Sequence, residues 1–213
     1  MINFLWHTDK TPPPVPNLIS QVYLYAVKRI AVFASGAGSN AKILIEYFEF
    51  HRNAQVTLLV SNRAEAGAVK IAQEQGVETL IISKETFFSV QSIVAELNER
   101  GIDLIVLAGF LWLIPEALIK AFPNRIVNIH PALLPKYGGK GMYGKKVHEA
   151  VLAAREKESG ITVHYVNEHF DEGEHIAQFS CEVNAGDSIG SLTSRIQKLE
   201  HQHFAKVVEK LLT

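Results

Sequence analysis

From residue 28 onward the chain alternates two hydrophobic rhythms. Short β-branched runs, apolar at nearly every position, read as strands covered on both faces of a parallel sheet: RIAVFA (29–34), VTLLV (56–60), ETLII (78–82), IDLIVLA (102–108) and RIVNI (125–129). Between them lie segments of helical spacing: SNAKILIEYFEFH, AGAVKIAQEQG closed by Gly76, KETFFSVQSIVAELNERG closed by Gly101, and PEALIKAF opened by Pro115. This βαβαβαβαβ order predicts an α/β fold, an open and mostly parallel sheet with helices on both faces. After residue 159 the rhythm changes. GITVHYVNE and HIAQFSCEV read as two longer strands around HFDEGE, a C-terminal β-hairpin, and an amphipathic helix follows from about Ser188 to Leu212.

The first 27 residues break the pattern. A proline cluster, TPPPVP, forbids helix, and the apolar stretch after it is interrupted by Asn17, Ser20 and Gln21, with no basic start and no cleavage site. Residues 1–27 are therefore expected to be an extension, either an arm packing on the domain or an artefact of start-site choice with Val27 as the alternative start. Residues 28–213 are expected to form a single domain.

Composition narrows the partners. The chain has 213 residues, 47% of them hydrophobic and 20% charged, enough for one sizeable core. Its 21 basic and 22 acidic residues leave a formal charge of -1, so no basic field is available for a nucleic-acid backbone or an anionic membrane. Small-molecule partners are expected, with no nucleic acid and no membrane, and a monomer or homodimer. The lone Cys181, in the apolar AQFSCEV, reads as a core thiol in a reducing compartment. With no targeting signal, a cytoplasmic location is expected.

In an open α/β sheet, ligands sit at the carboxyl ends of the strands. The first strand leads into ASGAGSNAK, two glycines for a tight turn and then Ser39 and Asn40 at a helix start, where free N–H groups and the helix dipole favour a phosphate. A dinucleotide fingerprint needs a third glycine where the chain has Ala41, and no G-K-S/T follows for a nucleotide P-loop. A tight turn with a Ser N-cap is the plain structural alternative.

The fifth strand ends in Asn128 and His130, two positions apart and so on one face, with Pro131 ending the ladder. An amide donor beside a titratable donor at a ligand-binding strand end suits a developing oxyanion. A carboxylate to hold the imidazole charged is expected from the hairpin loop, where spacing alone leaves Glu168, Asp171, Glu172 and Glu174 open. No metal site is expected: His164, His169 and His175 have no helical i, i+4 pair and read as solvated or packed, as do the histidines of EHQHF.

Together ASGAGSN, VLAGF, NIHPALLP and TVHYVNEHFDEG resemble the folate-dependent formyltransferases, and among them the phosphoribosylglycinamide formyltransferase family, over about residues 28–211. The resemblance implies a Rossmann-like fold and transfer of a formyl group from 10-formyltetrahydrofolate, as co-substrate, to the amino group of glycinamide ribonucleotide. It implies Asn128, His130 and Asp171 as catalytic residues, with Asp171 holding His130 cationic. By the same matching, Gly38, Ser39, Asn40, Pro131 and Glu200 bind the ribonucleotide. The folate falls to Leu111, Trp112, Leu113, Ile114, Arg125 and Asn128, and to the hairpin loop Asn167, Glu168, His169, Phe170 and Asp171. Glu200 would otherwise read as a solvated helix residue.

Two departures from the family pattern stand out. Trp112 replaces a frequent arginine, and the loop KYGGKGMYGKKVHEA is longer than the short KYPG form. Its Lys136, Lys140, Lys145 and Lys146 face either an anionic ligand or solvent.

Rival readings are separable. A methionyl-tRNA formyltransferase needs a further C-terminal domain and a basic surface, and a formyltetrahydrofolate hydrolase an N-terminal regulatory domain. An NADP-dependent reductase, with Arg63 on the 2′-phosphate, lacks the third glycine. A non-catalytic binding module would bind without turnover.

Overall fold

The computed structural model describes residues 27–212, so the expectations for residues 1–26 lie outside the described residues. The elements run β1 (Lys28–Phe33), α1 (Ser39–Phe48), β2 (Ala54–Ser61), α2 (Gly67–Glu74), β3 (Glu78–Ile81), α3 (Lys84–Phe88), α4 (Val90–Glu99), β4 (Leu104–Leu107), α5 (Glu116–Ala121) and β5 (Ile126–His130). They continue with α6 (Lys145–Ala153), β6 (Glu158–Tyr165), β7 (His175–Glu182) and α7 (Ile189–Lys210). One seven-stranded sheet has the order β3-β2-β1-β4-β5-β6-β7, with β1 to β5 parallel and β6 and β7 antiparallel. The chain leaves β1 outward through β2 and β3, then returns to pair β4 on the other side of β1. That reversal leaves a crevice between the ends of β1 and β4.

Alternation along β1 builds two core layers, since successive residues point to opposite faces. Ile30 and Val32 pack with Leu44, Phe48, Leu192 and Phe204 from α1 and α7. Ala31 and Phe33 pack with Phe87, Leu97 and Leu118 from α3, α4 and α5.

Three expectations need adjusting. The strand over Glu78–Ile81 is not covered on both faces: it is the sheet edge, paired only with β2, and Ile81 is 45% exposed. The single helix expected over residues 84–100 is two, bent at Ser89, whose ψ is 85°. Phe87 and Ile93 are both buried yet six residues apart, about a third of a turn out of phase in one continuous helix, so the bend lets both face the core. Cys181 lies on β7 half-buried at the border of the core, where burial pushes its thiol pKa up. As expected, Gly76 and Gly101 follow the ends of α2 and α4 with positive φ, and Ser188 caps α7. Among the described residues, no helix is long and apolar enough to cross a membrane.

Candidate active site

At the carboxyl ends of β1, β4 and β5 lies a cavity of about 640 Å³, within the size range of small-molecule sites. One end is the turn after β1. Gly38 has φ 87°, and a Cβ there would lie 2.5 Å from Ala68 Cα, so the position requires glycine. Gly38, not Ser39, is the N-cap of α1, and no side chain caps the helix. The plain alternative of a Ser cap therefore fails. The first-turn N–H groups of α1 lie at the cavity and the first turn itself carries no acidic residue, an arrangement suited to an anion.

Asn40 extends this end across the fold. Its Nδ2 donates to Glu200 Oε2 at 2.9 Å, while its Oδ1 is buried without a partner. Glu200 is only 8% exposed, so the reading of it as a solvated helix residue is wrong: α7 packs on α1 and turns this carboxylate inward. Burial raises its pKa, opposed by the Asn40 hydrogen bond and the charge of His130. A buried carboxylate beside an unpaired amide oxygen is a natural acceptor pair for hydroxyl donors.

The middle of the cavity is the end of β5. Asn128 and His130 do project to one face, as their spacing requires, and the hairpin loop brings Asp171 to both. His130 Nδ1 lies 3.4 Å from Asp171 Oδ1, and its Nε2 donates to the Tyr137 carbonyl at 2.8 Å. Both ring nitrogens thus face acceptors, which an imidazolium satisfies on both sides. Asp171 also accepts from the Gly139 N–H at 2.9 Å and sits at φ 60°, an uncommon backbone region for a residue other than glycine. Burial alone would push its carboxyl pKa up. The His130 imidazole and its charge, together with the Gly139 N–H, outweigh that and hold it well below the usual carboxylate range. Of the four carboxylates left open by spacing, Asp171 is the one in place. Gly173 makes this loop closure possible, because a Cβ there would lie 1.7 Å from the Tyr165 carbonyl oxygen.

His164, read from the sequence as solvated or packed, belongs to this cluster. It is 2% exposed and pairs in register with Asn128 across β5 and β6. Its Nδ1 donates to the Tyr165 carbonyl at 2.8 Å, which leaves Nε2 to accept from Asn128 Nδ2 at 3.0 Å. That contact fixes which way the Asn128 amide is turned. At 3.7 Å from Asp171, the same Nε2 only flanks the carboxylate. Strand alternation puts residues 162 and 164 on one face, but only the antiparallel register reveals which residue His164 meets.

The far end is the segment after β4. Ser35 Oγ accepts from Leu111 N at 3.1 Å, tying this segment to the turn after β1. Leu111, Trp112, Leu113 and Ile114 line the cavity with Asn167, His169, Phe170 and Pro131. Glu168 does not line it. Nor does Arg125, which precedes β5 and so lies at the opposite end of that strand from His130, its guanidinium 4.7 Å from the Phe122 ring centre. In the glycine-rich loop, Lys136 pairs with Glu156 at 2.9 Å and Lys145 with Glu149 at 3.6 Å. Lys146 lies over the Tyr143 ring, and Lys140 lines the cavity. Among the described residues no group of three or more His, Cys, Asp or Glu side chains is placed to hold a metal ion.

Known proteins resemble this chain over most of its length. The formyl transferase family pattern matches residues 28–208. The chain is 42% identical to the chloroplastic phosphoribosylglycinamide formyltransferase of Arabidopsis thaliana, over 94% of this chain and 70% of that protein. It is 34% identical to the phosphoribosylglycinamide formyltransferase of Bacillus subtilis, over 87% and 95%. The crystal structure of the Bacillus halodurans phosphoribosylglycinamide formyltransferase superposes with a TM-score of 0.79 at 34% identity, covering 87% of this chain and 96% of that one. An oxyanion-suited Asn–His–Asp cluster, an uncapped helix start in the same cavity and this shared architecture lead to one conclusion: the chain belongs to the formyl transferase family and, within it, to the phosphoribosylglycinamide formyltransferases.

Proposed function

We propose that the cavity brings 10-formyltetrahydrofolate and glycinamide ribonucleotide together for direct transfer of the formyl group. The observation that carries this reading is that Asn128, His130 and Asp171 share one cavity with the open N-terminus of α1. The ribonucleotide phosphate takes the first-turn N–H groups at Gly38, Ser39 and Asn40, and its ribose hydroxyls meet Glu200 and the unpaired Asn40 Oδ1. The pteridine enters the slot formed by residues 111–114 with Asn167, His169, Phe170 and Asp171.

The substrate amine is itself the nucleophile. It attacks the formyl carbon to give a tetrahedral intermediate, and no protein side chain needs to form a covalent bond. One Asn128 amide hydrogen is held by His164, and the other, which donates to Asp171 over a long Nδ2–Oδ1 distance of 3.4 Å, exchanges that acceptor for the developing oxyanion. His130 donates the second hydrogen bond from Nε2 by exchanging the Tyr137 carbonyl for the ligand oxygen, while Asp171 faces its Nδ1. The bond from the carbon to the folate N10 then breaks. The amine gives up one proton and the folate nitrogen receives one, with His130 placed to relay it.

Steady-state assay with both substrates tests the reading. Formyl transfer that requires both is expected. Tetrahydrofolate released without the ribonucleotide would make the chain a hydrolase, and binding without turnover would make it a binding module.

A further inference from the structure

The apolar end of the cavity carries an arrangement that shape alone does not require. Trp112 is cradled by three phenylalanines, its ring centre 5.6 Å from that of Phe87, 6.1 Å from Phe88 and 6.1 Å from Phe110. Phe87 is buried and edge-on to Phe110 at 5.5 Å, so the cradle is anchored in the core. Phe88, 51% exposed, and Leu111, 44% exposed, extend the patch outward from the cavity wall. Trp112 thus lines the cavity on a support of buried rings, a wall suited to a flat apolar group.

Charge is scarce at this wall. The lysine and arginine side chains lining the cavity are Arg63 and Lys140. Arg63 is paired with Glu65 at 3.1 Å, in the turn before α2, whose Gly67 and Ala68 pack on Ala37 and Gly36 at the anion end. Lys140 stands in the glycine-rich loop beside Gly139, which binds Asp171. Arg125 lies at the other end of β5. The segment from Phe110 to Ile114 therefore offers a stacking surface and, apart from the indole N–H, no side-chain polar group.

We infer that Trp112 is the donor-side specificity residue, its indole forming the wall against which the aryl ring between the pteridine and the glutamate of the donor stacks. This rests on the folate reading given above. Recognition on this side runs through the aromatic ring and draws little on the glutamate carboxylates, in contrast to a site built on an arginine at the same position.

The test uses 5,8-dideazafolate as probe and its pteroate counterpart, which lacks the glutamate, with the full chain carrying Trp6→Phe so that Trp112 is the sole tryptophan. Saturable quenching of indole emission is expected with both probes, their Kd values within about threefold of each other, because stacking on an aromatic wall supplies most of the contact. Trp112→Ala is expected to raise the donor KM about tenfold with the ribonucleotide KM unchanged, and Trp112→Phe to restore most of the loss. Unquenched emission with formyl transfer intact, an unchanged donor KM in Trp112→Ala, or a pteroate probe more than about thirtyfold weaker would each overturn the stacking proposal while leaving the folate reading standing. A wild type that neither binds the probe nor transfers formyl would overturn both.

Discussion

Asn128 and His164 face each other across the β5–β6 pair, with Nδ2 and Nε2 3.0 Å apart. Because His164 spends its Nδ1 hydrogen on the Tyr165 carbonyl, its other nitrogen accepts, and the amide must present its NH2 group. His164 is thus a positioning residue. His164→Ala is expected to lower kcat by roughly 10- to 100-fold, less than loss of an oxyanion donor itself, with both KM values within about threefold. His164→Gln, which keeps an acceptor, should recover part of the rate. Equal loss in both variants with raised KM values would point to a folding role instead.

Asp171 links activity and stability to pH. Its folded pKa is depressed below the unfolded value, so its contribution to stability is present above the ordinary carboxylate range and disappears as pH falls through the folded pKa. Asp171→Asn should cost about 2 kcal/mol near neutral pH, the scale for breaking a buried charge-assisted contact. Denaturation of the two proteins from pH 7 down to pH 3 should show the gap closing with acid. A gap independent of pH would contradict the assignment.

Glu200 has the opposite sign. Burial raises its folded pKa, so relative to Gln its carboxyl favours the fold at pH below the unfolded value, and that advantage is lost as pH rises through the folded value. Glu200→Gln keeps an acceptor for Asn40 and is expected to raise Tm at pH 8 by roughly 2–4 °C, the shift about 1 kcal/mol gives in a chain of this size. The gain should vanish near pH 4. The same variant should raise the ribonucleotide KM.

Much of this was legible in the sequence, and the reason is locality. The parallel strands, the Gly-x-Gly turn and the Asn128–His130 pair follow from period-two and helical spacing within a few residues. The break at Ser89 was not visible, because apolar residues on both sides satisfy a helical pattern separately and only their phase conflicts. The exposure of β3 depends on sheet order. The choice of Asp171 over its three acidic neighbours depends on a turn at φ 60°. His164 and Glu200 are nonlocal: one needs the β5–β6 register, the other a contact between Asn40 and a helix 160 positions away.

Gly38 offers a test of the anion-binding end. With φ 87° and Ala68 Cα 2.5 Å from a would-be Cβ, Gly38→Ala should destabilise the chain by about 2 kcal/mol, or roughly 4–8 °C in Tm. At temperatures where it stays folded, its ribonucleotide KM should rise more than its folate KM. Equal changes in both would argue that the turn does not hold the phosphate.

In the proposed reaction His130 and Asn128 together stabilise the transition state of formyl transfer. The most direct measurement is kcat for Asn128→Ala, His130→Ala and the double variant, with both substrates saturating. A loss of about 10²- to 10³-fold or more is expected in each single variant, with the double variant far less impaired than the product of the two, because both act on one oxyanion. A His130→Ala protein that keeps kcat within a few-fold of wild type would contradict it.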